Sequence, residues 1–388
     1  MKILHVLAGD PASGANRGAL ALVALQREAD WEVEVLNLRS LEGPLQRLLA
    51  LAQRRFNALL KRLARPRGYF NFFLPFPAPT LPFYRYDVLH LHWVAGQVSP
   101  ALLRQGRGKW VITLRDEWFF TGGCHYALQC SGYERGCQAC PLVDGARGRG
   151  ALGRLLVRSS AMQKAASFRY LRAPIVTIGA ALGEKAKGAA ALKDQTVSTI
   201  PNFVPPMPWP GQGEAGEDPR AYYLFVTTHL AVAHKGLDLL RRIGTPVKVV
   251  GAEDSLPASL RAPAFEFLGP ISERERLGAL MHGAKAVLLP SRAEAFGKVV
   301  LEAFSLGTPV IALAVDEPAR LVEDGRSGFL VQEATEGAFA EAVERMDALS
   351  PERYAAMRHD ARARYDVLSD APAILEAYGR LYRSVSHG

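Results

Sequence analysis

The chain has only four cysteines in 388 residues, all between Cys124 and Cys140. That scarcity excludes a disulfide-stapled scaffold. Long apolar runs are also missing. The longest, Ala303–Val315, is core-sized and falls short of the roughly 18 residues a spanning helix needs. Met1–Asp10 turns acidic too soon for a signal peptide and reads as a first strand, which points to a cytoplasmic protein. No Asp-x-Asp pair, P-loop or Ser/His/Asp nucleophile set occurs, so nothing suggests a catalytic metal. Between Gly43 and Tyr86 there is no acidic residue at all.

The composition is otherwise ordinary for a globular protein, 49% hydrophobic and 22% charged. The formal charge of +9 is unevenly spread. Residues 1–205 carry 27 Lys and Arg against 13 Asp and Glu, whereas 206–388 carry 20 against 25. A basic first half suggests an anionic partner, with nucleic acid and a membrane surface as the candidates.

Short apolar strands alternate with helical patterns along both halves. In the first they fall at Lys2–Ala8, Glu32–Leu38, Val88–His92, Val111–Leu114 and Ile175–Ile178. In the second they fall at Tyr222–Thr227, Val247–Val250, Phe265–Leu268, Ala286–Leu289, Pro309–Leu313 and Gly328–Val331. Helical patterns at Lys235–Ile243, Glu273–His282 and Lys298–Leu306 lie between the later strands. A Pro- and Gly-rich stretch from Pro201 to Asp218 reads as a linker. The expectation is an α/β protein of two Rossmann-like domains facing each other across a cleft. The first spans 1–205 and the second 206–365, with a C-terminal helix, 366–388, able to reach back.

The acid-free segment carries eight Lys and Arg, among them Arg54, Arg55, Lys61 and Arg62. Leu45, Leu48, Leu49, Leu51, Phe56, Leu59, Leu60 and Leu63 share an apolar face at helical spacing, and Tyr69, Phe70, Phe72, Phe73 and Phe76 follow. Two readings stand: an interfacial helix on an anionic membrane, or a solvated helix that covers the core.

The strongest motif runs from Ser291 to Phe304, after one strand and into a helix, where open α/β sheets bind ligands. Backbone N–H groups of Gly297, Lys298 and Val299 would form an anion site suited to a diphosphate. Glu294 and Glu302 are eight positions apart, roughly 12 Å on a helix, so each can reach one end of an extended ligand that carries hydroxyls. The alternative is that Glu294 complements the helix dipole and Glu302 lies at the surface. The cysteines, Cys124, Cys130, Cys137 and Cys140, include a Cys-x2-Cys pair, a spacing that suits a structural zinc site. Disulfides, redox-active thiols and plain thiols are the alternatives. Two GxGxxG patterns, Gly148–Gly153 and Gly211–Gly216, follow no strand and are accidental.

Taken together, Glu294-Ala295-Phe296-Gly297…Glu302, Gly307-Thr308-Pro309-Val310-Ile311-Ala312 and Glu323-Asp324-Gly325…Gly328-Phe329-Leu330-Val331 resemble the retaining glycosyltransferases of family 4, the glycosyl transferases group 1, which have the GT-B fold. Thr113–Tyr126 further resembles a bacterial exopolysaccharide subgroup, of colanic-acid type, as do Asp87–Trp93 and Ser13–Gly18. The resemblance implies a nucleotide-diphosphate sugar as donor, no catalytic metal, and an acceptor that is a saccharide or lipid-linked saccharide of a surface polysaccharide. It places the glycine loop with Gly14 and the Phe296–Val299 segment near the donor. It assigns Lys235, in Lys235-Gly236-Leu237-Asp238, to the donor phosphates, Glu294 to the sugar, Glu302 to the ribose and Asp116 to the acceptor. The sequence departs from the family pattern at Arg115, where a His is usual, and at Leu230, where an Arg is common. A nucleotide-sugar 2-epimerase or an inactive nucleotide-sugar binder of the same fold is the alternative. The acidic second half argues against nucleic acid. The basic balance fits a peripheral position on the inner face of the cell membrane.

Overall fold

The protein is described here by a computed structural model covering residues 1–143, 150–209 and 221–386. It divides into two compact units, Met1–Phe203 with Ala371–Gly388, and Val204–Asp370.

The first unit begins β1 (Lys2–Leu7), α1 (Gly14–Glu28), β2 (Glu32–Asn37) and α2 (Pro44–Ala64). It continues β3 (Val88–Leu91), α3 (Pro100–Gln105), β4 (Trp110–Leu114), α4 (Gly150–Leu171), β5 (Ile175–Thr177), α5 (Ala180–Gly188) and β6 (Val197–Thr199). The six strands are parallel, in the order β2-β1-β3-β4-β5-β6. Chain direction across the sheet reverses between β1 and β3, and their carboxyl ends open onto the loops at Gly9 and Trp93.

The second unit contains β7 (Tyr223–His229), β8 (Val247–Ala252), β9 (Phe265–Gly269), α6 (Arg274–Gly283), β10 (Val287–Leu289) and α7 (Lys298–Ser305). It ends with β11 (Val310–Leu313), α8 (Pro318–Leu321), β12 (Gly328–Val331), α9 (Glu336–Asp347) and α10 (Pro351–Leu368). Its parallel sheet runs β12-β11-β10-β7-β8-β9, which puts the reversal between β7 and β10. Its core gathers Tyr223, Phe225, Val249, Leu288 and Ile311 from the strands with Phe339 and Met346 from α9. The last helix, α11 (Ala371–Ser386), belongs to the first unit, where Ile374, Tyr378 and Tyr382 pack with Ile3, Val88 and Val111.

The α/β fold of two Rossmann-like units is the one the alternating pattern indicates. Three local expectations need correction. Lys235–Ile243 is not one helix but two short turns, Ala233–Lys235 and Leu237–Leu240. Gly236 between them adopts φ 76°, and a β-carbon there would come within 2.1 Å of the Pro290 carbonyl oxygen.

The second correction concerns α2. The helix forms, but of its apolar residues only Leu60 and Ala64 are buried, and its inward positions include Gln53 and Asn57. Asn57 donates to the Phe72 carbonyl at 2.8 Å and accepts from the Phe72 N–H at 3.4 Å, so a polar clasp seats the helix. The third is that Phe70, Phe72 and Phe73 are core residues, while Tyr69 is exposed. Of the two glycine patterns, Gly211–Gly216 lies outside the described residues, whereas Gly150 and Gly153 fall on α4. Of the linker stretch, residues 210–218 lie outside them too.

Candidate active site

In the second unit, the loops after β7 and β10 meet at the switch point. The first brings Lys235 and the second Glu294, with Lys235 Nζ 2.7 Å from Glu294 Oε2. Their mutual position is fixed by neighbours. The Arg292 N–H donates to the His234 carbonyl at 2.7 Å. Its guanidinium donates to both Asp238 oxygens, at 2.9 and 2.6 Å, and to the Ala233 carbonyl at 3.1 Å. This forked pair holds the Asp238 carboxyl below its usual range and raises Arg292 above its own. On the other side, Asp316 Oδ2 accepts from the Glu294 N–H at 2.9 Å. Arg292, Asp238 and Asp316 were not assigned roles from sequence. The Arg292–Asp238 partners stand 54 positions apart, so spacing carries no sign of them.

α7 opens at Gly297, which has φ 84°. Lys298 and Val299 therefore lie in a first turn, whose N–H groups have no intrahelical acceptor. Phe296 is buried beneath the loop. Glu302, one helical turn further, is buried and pairs with Lys298 at 2.8 Å. Two carboxylates and two ammonium groups thus flank a helix N-terminus, an arrangement that can take a polyanion bearing hydroxyls. Burial, reinforced by Lys235, lowers His234 to about 4, so the site's imidazole is neutral at pH 7.

Asp116 and Gly14 belong to the first unit. Gly14 starts α1, and a β-carbon there would meet nothing within 4 Å. The Asp116 carboxylate accepts from Trp93 Nε1 at 2.8 Å, His125 Nδ1 at 2.6 Å and the Trp118 N–H at 2.9 Å. It therefore organises the loop at the carboxyl end of β4.

Arg115 does not stand free. It is buried, donating to Asn202 Oδ1 at 3.0 Å and to His92 Nδ1 at 3.3 to 3.4 Å. Gly18 makes room for it, since a β-carbon there would lie 2.7 Å from Arg115 Nη1. From Arg115 a chain of hydrogen bonds crosses the core. His92 Nε2 lies 2.8 Å from His5 Nδ1, and His5 Nε2 lies 2.8 Å from Gln26 Oε1. Gln26 Nε2 donates to the Tyr382 hydroxyl at 3.2 Å. That hydroxyl lies 2.6 Å from His90 Nδ1, and His90 Nε2 lies 2.6 Å from Thr113 Oγ1.

Guanidinium and amide N–H groups only donate and an amide oxygen only accepts, so the chain runs one way. His92 and His5 are then neutral with the proton on Nε2, and the Tyr382 and Thr113 hydroxyls, which can donate or accept, complete the partners of His90. Burial lowers His5 to about 3 and takes His90 and His92 well below their ordinary value. Burial also lowers Arg115 to about 10. The three imidazoles approach within 4.8 Å, a spacing open to a metal, but every ring nitrogen already has a partner.

The zinc expectation is not supported. Cys124, Cys130, Cys137 and Cys140 line one small cavity, with Phe70, Thr121 and Val157. Yet among the described residues no three of these sulfurs lie within 4.8 Å of one another. A shared ion with Zn–S bonds of about 2.3 Å needs them closer. Burial pushes the Cys124 thiol up to about 12 and the Cys140 thiol to about 11. All four cysteines are free.

Residues 227–347 match the family described as Glycosyl transferases group 1. The "D-inositol 3-phosphate glycosyltransferase" of Stackebrandtia nassauensis is 38% identical over 120 residues, 30% of this chain and 27% of that protein. The protein of the same name from Mycolicibacterium gilvum is 32% identical over 161 residues, 42% of this chain and 35% of that one. The chain thus spans about a third or less of the length of these curated relatives.

Among solved structures, sucrose-phosphate synthase from Thermosynechococcus elongatus superposes with a TM-score of 0.65 at 20% identity, covering 99% of both chains. Anabaena HepE in complex with UDP-glucose gives a TM-score of 0.62 at 15% identity, covering all of both chains. At such identities the likeness establishes the fold, which is GT-B.

Proposed function

We propose that this protein is a glycosyltransferase that moves a sugar from a nucleotide-diphosphate sugar to a hydroxyl acceptor with retention of configuration. The observation that carries the reading is the meeting of Lys235 and Glu294, from two loops at the switch point of the second sheet, beside the opening turn of α7. Lys235 and the amides of Gly297–Val299 hold the diphosphate, with Lys298 as a second cation. Glu294 turns to the hydroxyls of the sugar, and Glu302 accepts from the ribose diol. Arg292, Asp238 and Asp316 keep Lys235 and Glu294 in place.

The acceptor oxygen attacks the anomeric carbon from the face the phosphate leaves. The carbon–oxygen bond to the phosphate breaks, and the acceptor proton passes to a phosphate oxygen. Such a reaction needs charge stabilisation and positioning more than a protein base. Lys235 offsets the charge that develops on the departing diphosphate.

HepE was solved with UDP-glucose, which favours a uridine nucleotide as the first donor to test. The relatives named for D-inositol 3-phosphate widen the acceptors worth testing to phosphorylated polyols beside lipid-linked saccharides. Asp116 and Gly14 border the acceptor and donor sides of the first unit. A lipid-linked acceptor would put the enzyme at the inner face of the cell membrane. No helix among the described residues is long and apolar enough to cross that membrane.

The test is transfer of radiolabelled sugar from UDP-, GDP-, ADP- and dTDP-glucose to a bacterial lipid extract and to inositol phosphate. Labelled product with one donor, lost about 100-fold or more in Lys235→Ala, is the expected result. No transfer to either acceptor, or transfer indifferent to Lys235, would overturn the reading.

A further inference from the structure

α2 is built inside out for a helix that only covers a core. Leu45, Leu48 and Leu59 are 66%, 61% and 52% exposed, with Leu51 and Leu63 exposed as well. At 3.6 residues per turn, Leu45, Leu48, Leu59 and Leu63 fall within about 60° of one another, so they form a stripe. Arg55 and Arg62 stand beside it, also exposed.

α4 repeats the pattern. Leu155 and Met162 are 63% and 60% exposed, and Leu152 is exposed too. These three share an arc of about 80°, next to exposed Arg158 and Arg169. The helices touch: a β-carbon on Gly153 would lie 3.6 Å from the Ala64 carbonyl oxygen, and exposed Leu63 and Leu152 adjoin those two residues. Neither segment has an acid. Gly43–Tyr86 has none against eight Lys and Arg, and Gly145–Gly183 has none against seven.

We propose that α2 and α4 together form one face that docks on an anionic lipid bilayer, the leucines and Met162 entering the acyl boundary and the arginines meeting headgroup phosphates. Exposed apolar stripes of this kind mark an interaction surface. The flanking charge selects the partner. A second copy of this chain would bring a like-charged, acid-free face against the first. A nucleic acid would use the arginines but gain nothing from the leucines. An anionic bilayer satisfies both groups at once, because cationic stems can lie along the interface while apolar side chains are withdrawn from water. The inference rests on the glycosyltransferase reading only for its purpose, which is to bring the enzyme to a lipid-linked acceptor.

The experiment is co-sedimentation of the full chain with phosphatidylcholine vesicles, with and without phosphatidylglycerol. Wild type should bind the anionic vesicles alone. Arg158→Glu with Arg169→Glu tests the helix that the sequence did not flag, and should weaken binding at least about tenfold, since each basic group near the surface contributes about fivefold. Leu48→Ser with Leu59→Ser, which leaves the charge untouched, should weaken it as well. These positions are exposed, so far-UV dichroism should match wild type.

Nucleotide-sugar binding, read by calorimetry, should be unchanged in both variants. Its absence in wild type would count against the glycosyltransferase reading and leave the vesicle result to stand alone. The proposal is overturned if wild type ignores anionic vesicles, or if the α4 reversal binds as wild type does. Sedimentation equilibrium showing a dimer that Leu48→Ser dissociates would also overturn it, by giving the face to a second copy.

Discussion

The buried histidine chain makes stability of the first unit depend on pH in a direction opposite to that of an ion-paired histidine. A histidine whose folded-state pKa lies below its unfolded value, about 6.5, stabilises the fold above that pH and loses the stabilisation as pH falls toward the folded value. His5 is lowered to about 3, and His90 and His92 lie well below 6.5. The window therefore opens just above pH 6.5 and extends downward past pH 5. Between pH 7.5 and 5.5 the unfolded chain takes up nearly one proton per histidine while the folded one takes none. Each histidine then contributes a loss of about 1.4 kcal/mol, and the three together about 4 kcal/mol.

The assay is urea unfolding at both pH values, followed by tryptophan fluorescence. Trp31, Trp93, Trp110 and Trp118 lie in the first unit and only Trp209 in the second, so the signal reports mainly the unit of interest. His92→Gln, whose amide can still accept from Arg115 and donate to His5, should be less stable at pH 7.5 yet lose about a third less on acidification. Equal stability of wild type at the two pH values would refute the neutral chain. So would a His92→Gln protein that keeps the full pH dependence.

Other consequences are as direct. Tyr382→Phe leaves the Gln26 amide and His90 Nδ1 buried without the hydroxyl between them. It should destabilise the first unit by about 2–5 kcal/mol in the same urea assay. Arg292→Ala should weaken donor binding about 10–100-fold by freeing the Lys235 turn, and the exchange Arg292→Asp with Asp238→Arg should restore part of it, both measured by calorimetry. Gly236→Ala should abolish donor binding while the first unit unfolds as in wild type, because the new β-carbon meets the Pro290 carbonyl. With DTNB, buried Cys124, Cys137 and Cys140 should react only on unfolding, and half-buried Cys130 should react in the native protein.

Among the described residues, every strand except the short edge strand β6 (Val197–Thr199) was legible in the sequence, as were the donor-site candidates, because each lies in one continuous stretch. An apolar run, a glycine and a helix start, as in Leu289…Gly297-Lys298, mark a strand end and the loop it opens onto. Contacts across the chain left no such mark. His5 and His92 are 87 positions apart, and a strand pattern shows them only as inward residues of β1 and of the turn after β3. For α2, periodicity told which leucines share a face but could not tell which face turns inward. The clasp from Asn57 to Phe72 decides that. The four cysteines likewise line a shared cavity, yet among the described residues no three of their sulfurs lie within 4.8 Å of one another.

The most direct measurement of the donor-site claim is calorimetric titration of wild type and Glu302→Ala with UDP-, GDP-, ADP- and dTDP-glucose. One of the four should bind wild type, and the variant should bind it at least about tenfold more weakly, the loss of a charge-assisted hydrogen bond. No binding of any nucleotide sugar, or equal binding by the two proteins, would contradict the account.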